Sequence, residues 1–399
     1  MNMSSSSLEK LKVALVYDRA NTAYGGAEQV LLSLKSLFPQ AVLLSSLYNP
    51  KKAGWARNFN EIRASFLNKI PFAKNHHQWF VFLMPLAFES LDLSEFDVII
   101  SVTSAEAKGV ITQPHQLHLC YLLTPPRYLY QFQEEYLKTR PLLRLPLLKQ
   151  ISSLFLKYLG WWDQAAIHRP DVIIPLSQSV KERAKKSYGI ETSEPIYPPI
   201  DAISLDTDDQ ALAKFNLPSN FNLVVSRLVF YKKVDLAIQA CAATNQNLVI
   251  VGTGQQEKRL KEMAAQLSVN TDSQIIFLGS QPQTVVNSLM KAAQLFLAPG
   301  VDDFGLSPLQ ANLFDTPAII NAHSGVAEVF NKYGLGSMIS QANLAVLTQK
   351  IQQSSFDIKK SANIRHVKRE LGQEAFISRM NSIIDKALIK QKDINQQKV

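Results

Sequence analysis

Short β-branched runs alternate with helical stretches along this chain, and the alternation starts twice. Lys12–Tyr17 (KVALVY), Ala41–Ser46, Asp97–Val102 (DVIISV), Leu117–Leu123 (LHLCYLL) and Asp171–Ile174 read as buried strands, with a periodic helix over Ala27–Leu37. An extended, proline-rich segment follows at Glu194–Asp201 (EPIYPPID) and reads as a hinge. Beyond it the pattern resumes with strands at Leu223–Ser226, Asn247–Gly252, Ile275–Leu278, Leu295–Ala298 and Pro317–Asn321. Helices fall at Asp235–Ala243, Gln256–Leu267, Thr284–Ala293 and Leu306–Leu313. Such alternation builds parallel sheets with helices on both faces. Two α/β domains are predicted, over residues 1–200 and 201–370, with a polar helix and tail over 371–399 whose last ten residues are expected to fray. Open sheets of this kind bind ligands outside the carboxyl ends of their strands.

Composition narrows the ligand. The chain has 42 Lys/Arg against 33 Asp/Glu, a formal charge of +9, which favours an anionic partner. Its two cysteines, Cys120 and Cys241, are too few for a disulfide framework and fit a reducing cytosol. The N-terminus has no apolar signal region, and no apolar run approaches the ~20 residues of a spanning helix.

Gly25-Gly26 precedes a helix, where a glycine pair lets backbone approach a phosphate or simply makes a turn. A dinucleotide fingerprint is missing there, and Gly252-Thr253-Gly254 is half of one, with Glu257 where the third glycine belongs. Arg227, Lys232 and Lys233 follow a strand end, as a diphosphate requires, or form a solvated turn. Asp302-Asp303-Phe304-Gly305-Leu306-Ser307 joins a strand to a helix start, where N–H groups face an anion and Asp302 reaches sugar hydroxyls; acids favouring the helix dipole are the plainer reading. Asp206-Thr207-Asp208-Asp209 reads as a helix cap rather than a metal site. Lys51–Phe80 and Lys138–Trp162 interleave cations with aromatic and leucine side chains. They suit either an anionic lipid surface or ordinary helix packing; their aromatic spacing fits no nucleic-acid module.

Taken in order, YGGAEQVL (24–31), TPPRYLY (124–130), WDQAA (162–166), IYPPID (196–201), SRLVFYKKVDLAI (226–238), VIVGTG (249–254), IIFLGS (275–280) and DDFGLSPLQA (302–311) resemble the retaining GT-B glycosyltransferases of glycosyltransferase family 4, particularly bacterial mannosyltransferase-like members. The resemblance implies two Rossmann-like domains facing across a cleft, with the last helix crossing back to the first domain. It implies a nucleotide-sugar donor, with GDP-mannose favoured, no cofactor and no required metal. The acceptor is expected to be a lipid-linked saccharide or glycan, and the enzyme cytoplasmic at the inner face of the plasma membrane, with no nucleic-acid partner.

Residue by residue, the resemblance implies that Arg227 and Lys232 bind the diphosphate, that Gly25 and Gly26 approach it, and that Phe304, Gly305, Leu306 and Ser307 cradle sugar and phosphate. Ser280 and Gln281 stand where the family holds the base. The family's paired glutamates fall on Asp302 and Gln310. Arg127, Ser104 and Leu123 lie on the acceptor side, with Leu123 and Ser104 where relatives carry histidines. Asp302, Arg227 and Lys232 would carry catalysis. The departures at Gln310, Leu123 and Ser104 admit an alternative: a non-catalytic nucleotide-sugar-binding or scaffolding relative.

Overall fold

Two parallel sheets with the same strand order organise the chain. In the computed structural model, which describes residues 11–138, 146–200, 205–269, 271–353 and 362–396, each sheet has six strands. Two compact units result: Met1–Pro199 with Glu374–Val399, and Ile200–Gln373.

In the first unit the strands are β1 (Val13–Tyr17), β2 (Val42–Ser45), β3 (Ile62–Ala64), β4 (Val98–Thr103), β5 (Leu117–Leu122) and β6 (Val172–Pro175), ordered β3-β2-β1-β4-β5-β6. β1, β4 and β5 are buried at every position, as strands covered on both faces should be. The helices are α1 (Gly26–Leu37), α2 (Met84–Glu89), α3 (Arg127–Tyr130), α4 (Gln133–Lys138), α5 (Pro146–Ala166) and α6 (Gln178–Tyr188). Strand β3 falls inside the Lys51–Phe80 stretch and is absent from the sequence reading. Of the Lys138–Trp162 stretch, residues 139–145 lie outside those described.

In the second unit β7 (Asn222–Val225), β8 (Leu248–Val251), β9 (Ile275–Gly279), β10 (Leu295–Ala298), β11 (Ala318–Asn321) and β12 (Gly336–Ile339) are ordered β12-β11-β10-β7-β8-β9. Read from its own first strand, this order repeats that of the first unit. The helices are α7 (Asp209–Leu212), α8 (Val234–Ala243), α9 (Glu257–Ser268), α10 (Gln283–Ala292), α11 (Leu306–Leu313), α12 (Ala327–Tyr333), α13 (Leu344–Gln352) and α14 (Ala362–Leu371). Its core joins the inner faces of α8, α9 and α13 to the sheet through Leu236, Ile238, Leu260, Leu347 and Ile351.

The last helix, α15 (Gln373–Gln396), packs on the first unit. Phe376 lies edge-on to Tyr121, with ring centroids 5.9 Å apart, and Gln391 Nε2 donates to the Gln116 carbonyl at 2.8 Å. The helix extends to Gln396, with Gln391 fastened to the segment just before β5; of the last ten residues, expected to fray, 397–399 lie outside those described.

The proline-rich segment before Pro199 is tied to the same unit. Tyr121 Oη donates to the Ile196 carbonyl at 2.6 Å, and the buried Gln29 side chain donates to the Pro199 carbonyl.

Candidate functional site

In an open sheet of this order the ligand crevice opens where neighbouring strands send their chains in opposite directions, between the first and fourth strands. In the second unit that point lies between the ends of β7 and β10. The loop after β7 carries Arg227 and Lys232, and the loop after β10 carries Asp302. Lys232 Nζ donates to Asp302 Oδ1, and both side chains are mostly shielded from solvent. Arg227 is more exposed, and its guanidinium donates to Tyr231 Oη at 2.8 Å.

Three glycines, two after β8 and one after β10, let the neighbouring loops approach the one after β7. A Cβ on Gly252 would lie 1.9 Å from the Ser226 carbonyl oxygen, one on Gly254 2.4 Å from that of Leu228, and one on Gly300 2.3 Å from that of Tyr231. Gly252-Thr253-Gly254 is thus a seat for the cation-bearing loop. Leu228 N donates to the Thr253 carbonyl at 2.9 Å and Gln256 N to the Leu228 carbonyl at 2.9 Å, fastening that loop to β8's end.

The loop after β10 is equally constrained. Asp302 N donates to Ser324 Oγ at 3.0 Å, Gly325 N to the Asp302 carbonyl at 3.1 Å and Val326 N to the Phe304 carbonyl at 2.8 Å. Phe304 is buried and anchors the turn. Gly305 adopts φ 99°, a left-handed conformation that suits glycine, and begins α11 with no side chain capping it. The first-turn N–H groups of Leu306 and Ser307 are therefore the helix's positive end. One turn on, Gln310 is buried and its Nε2 has no hydrogen-bond partner among the described residues. A buried amide donor without a partner costs free energy that a ligand acceptor would recover.

Ser280 and Gln281 follow β9, and Gln281 Nε2 donates to the Leu278 carbonyl at 2.6 Å. A cavity of about 220 Å³ lies between Phe230, Asp235 and Arg259, and none of the expected donor-binding residues line it. Asp208 accepts from Ala211 N at 3.0 Å and caps α7, as its position suggests.

The corresponding point of the first unit, between β1 and β4, centres on a residue absent from the sequence reading, Asp18. Its buried carboxylate accepts from Thr103 Oγ1 at 2.7 Å, Ser104 N at 2.7 Å and Ala107 N at 2.9 Å. The carboxylate acts as a cap for the loop after β4 and holds Ser104 at the strand end. A lone acid just past a strand was the available signal; its partners are too far along the chain to be paired with it by eye.

Beside it, Arg19 and Glu106 form an ion pair, and Tyr128 Oη donates to Glu106 at 2.8 Å. Burial raises the Glu106 carboxyl above its usual range, against the opposing pull of Arg19. Beneath the same loop Lys108 pairs with Asp163, whose other oxygen accepts from Tyr130 and Tyr188 hydroxyls, each at 2.8 Å.

Gly25 caps α1 in an extended conformation and Gly26 is its first residue. Glu28, buried behind them, accepts from Tyr17 Oη at 2.7 Å and Thr22 Oγ1 at 3.1 Å. Arg127 opens α3, buried, with its guanidinium 5.7 Å from the Phe132 ring centroid. Leu123 N donates to the Thr103 carbonyl at 2.8 Å. Ser104 and Leu123 thus follow the ends of the adjacent strands β4 and β5. Both cysteines are buried, and burial pushes each thiol up to about 12.

Residues 207–370 match the family model described as Glycosyl transferases group 1. The chain is 24% identical over 285 residues to the alpha-1,3/1,6-mannosyltransferase ALG2 of Saccharomyces cerevisiae, covering 58% of this chain and 56% of that relative's length. Among solved structures, Anabaena Alr3699/HepE in complex with UDP and glucose superimposes with a TM-score of 0.65 at 14% identity, over 94% of this chain and 100% of that one. WaaG, a glycosyltransferase involved in lipopolysaccharide biosynthesis, gives 0.64 at 16% identity over 93% and 99%. With two like-ordered parallel sheets and these neighbours, the chain has the fold of the GT-B glycosyltransferases, and its residues 207–370 carry the match to glycosyl transferases group 1.

Proposed function

We propose that the protein transfers a hexose, mannose or a close relative, from a nucleotide sugar to a lipid-linked saccharide or glycan, with retention and without a metal. The observation that carries this reading is the pairing of Lys232 with Asp302 at the second unit's strand-order reversal, beside the uncapped start of α11. A nucleoside diphosphate offers the anion that Lys232, Arg227 and the helix end can bind. A sugar offers the hydroxyls that Asp302 can accept from.

In the proposed reaction the bond from the anomeric carbon to the diphosphate oxygen breaks, and its electron pair leaves with the diphosphate. The cations and helix N–H groups stabilise that charge as it develops. The acceptor oxygen bonds to the same face of the anomeric carbon, and its proton passes to the departing phosphate oxygen. Mannose is favoured on the ALG2 likeness and GDP-mannose as donor on the sequence resemblance; Ser280 and Gln281 would lie against the base. The cationic N-terminal segments support work at the cytoplasmic face of a membrane.

A second reading, donor binding without turnover, is favoured by Gln310, whose amide replaces a carboxylate expected to bind the donor. Thermal-shift screening against GDP-mannose, UDP-glucose and related donors, followed by transfer of labelled sugar to membrane lipid extract, tests both. A dose-dependent rise in melting temperature with transfer supports the enzyme. A rise without transfer, unchanged in Gln310→Glu, supports the binding protein. No shift with any donor overturns both.

A further inference from the structure

Seven large apolar side chains stand exposed on two adjoining segments of the first unit. The first segment is the 3-10 turn His77–Leu83 running into α2. Its inner side chains, Met84 and Ala87, are buried with Leu47 and Leu67, whereas Trp79, Phe82 and Leu86 face out. The second is α5, which buries Leu159 and Trp162 and exposes Leu154, Phe155, Tyr158 and Trp161. Leu154, Tyr158 and Trp161, spaced by four and three, form one helical stripe. The two segments touch: the Phe82 and Phe155 rings are 5.3 Å apart, and Trp162 Nε1 donates to Glu89 of α2 at 2.7 Å. Phe82 and Phe155 thus join exposed side chains of the two segments, and the stripe of Leu154, Tyr158 and Trp161 runs along the outward side of the same helix, more apolar surface than scattered residues would give.

We propose that this face is a lipid-docking surface, which lies flat on an anionic membrane and seats Trp79 and Trp161 in the headgroup boundary. The argument for lipid over a protein partner is charge and composition. Residues 51–89 contain six Lys/Arg and two acids, Glu61 and Glu89, which pair with Arg63 and Arg169; residues 146–162 contain two lysines and no acid. Lys69 and Lys157 are exposed, and Lys157 sits among the outward residues of α5. Outward Trp and Tyr mixed with lysine is the composition of interfacial elements. No helix among the described residues is long and apolar enough to cross a membrane, so the face would bind in plane. The proposal rests on the membrane-side part of the proposed function and is independent of sugar transfer.

The chain's own fluorophores provide the test. Of its four tryptophans, Trp79 and Trp161 are 64% and 69% exposed, whereas Trp55 and Trp162 are 7% and 5%. The full chain is mixed with vesicles of phosphatidylcholine and phosphatidylglycerol in equal parts, with and without brominated acyl chains, in the absence of donor and acceptor. Tryptophan emission should shift to the blue and be quenched by the brominated lipid. Trp79→Ser with Trp161→Ser should abolish both signals and weaken vesicle co-sedimentation at least about tenfold. Absence of quenching in the wild type overturns the proposal, whatever the variant does. So does a lipid-independent dimer, detected by sedimentation equilibrium, that hides these tryptophans. Equal binding to pure phosphatidylcholine would overturn the role of charge. Sugar transfer can fail while quenching persists, which separates this idea from the reaction.

Discussion

Lys232 and Asp302 sit 70 residues apart in sequence and form an ion pair between the loops that leave β7 and β10. The ammonium proposed to meet a diphosphate is thus held by the carboxylate proposed to meet the sugar. Lys232→Ala should weaken donor binding about tenfold to a hundredfold, the loss of a charge-assisted contact worth ~1.5–3 kcal/mol. The fold should lose less than the donor affinity does, about 1 kcal/mol, since the pair is not fully shielded and Asp302 can still reach water. Calorimetric donor titration beside urea unfolding separates the two; equal losses in both would assign Lys232 to structure alone.

Gln310→Glu restores an acceptor-only side chain at a buried position whose amide nitrogen has no partner. Donor affinity should rise about fivefold to thirtyfold, since a charged acceptor exceeds a neutral one by ~1–2 kcal/mol. Without donor the variant should melt lower than wild type, because it buries a carboxylate. Thermal shift with and without donor reads both signs.

Asp18→Ala strips the acceptor from Thr103, Ser104 and Ala107 at once. A cost of about 3 kcal/mol or more is expected for several buried donors left unpaired. Asp18→Asn should recover part of it, since one amide oxygen still accepts. Denaturant unfolding of the three proteins orders them.

Gly252→Ala and Gly279→Ala make a matched pair. Both residues have positive φ, 130° and 66°, but a Cβ on Gly252 would meet the Ser226 carbonyl at 1.9 Å, whereas one on Gly279 would meet nothing within 4 Å. Gly279→Ala should cost about 1 kcal/mol of backbone strain. Gly252→Ala should cost several times that or dislodge the loop bearing Arg227 and Lys232, abolishing donor binding.

His118 gives an acid-side prediction. Burial, with Arg169 adding to it, lowers its pKa from 6.5 to about 3. The unfolded chain therefore takes up a proton below pH 6.5 that the folded chain refuses until about pH 3. Stability contributed by the neutral ring is complete above 6.5 and falls as pH drops through that window, by up to about 1.4 kcal/mol per pH unit. His118→Gln should flatten the decline between pH 6.5 and 5, before most carboxylates titrate. An unchanged slope would show that His118 is not the group responsible.

Much of the fold was legible because parallel strands covered on both faces must be continuous apolar runs. Val98–Thr103 and Leu295–Ala298 could scarcely be anything else. Strands β3 and β12 were not legible: Ile62–Ala64 is three half-buried residues around an arginine, and Gly336–Ile339 opens with glycine and serine. The GT-B resemblance was carried by ordered motifs, and the fold agrees with it. What escaped were the local partners that two distant stretches supply to each other at Asp18 and at Gly252-Thr253-Gly254. Asp18 means nothing until Thr103–Ala107 lies beside it. Gly252 and Gly254 looked like a damaged nucleotide fingerprint because the backbone they make room for, Ser226 to Leu228, lies some 26 residues earlier.

The return of α15 to the first unit has a consequence for synthesis. Phe376, Met380 and Ile384 are buried there, so the first unit's core is unfinished until the ribosome has released them. The second unit, contained in Ile200–Gln373, is complete earlier. The half of the protein made first is therefore the half that finishes last, and it must keep an apolar seat open near Tyr121 while the rest of the chain is made. A stop codon near residue 373 would leave a sound second unit tethered to an aggregation-prone first one.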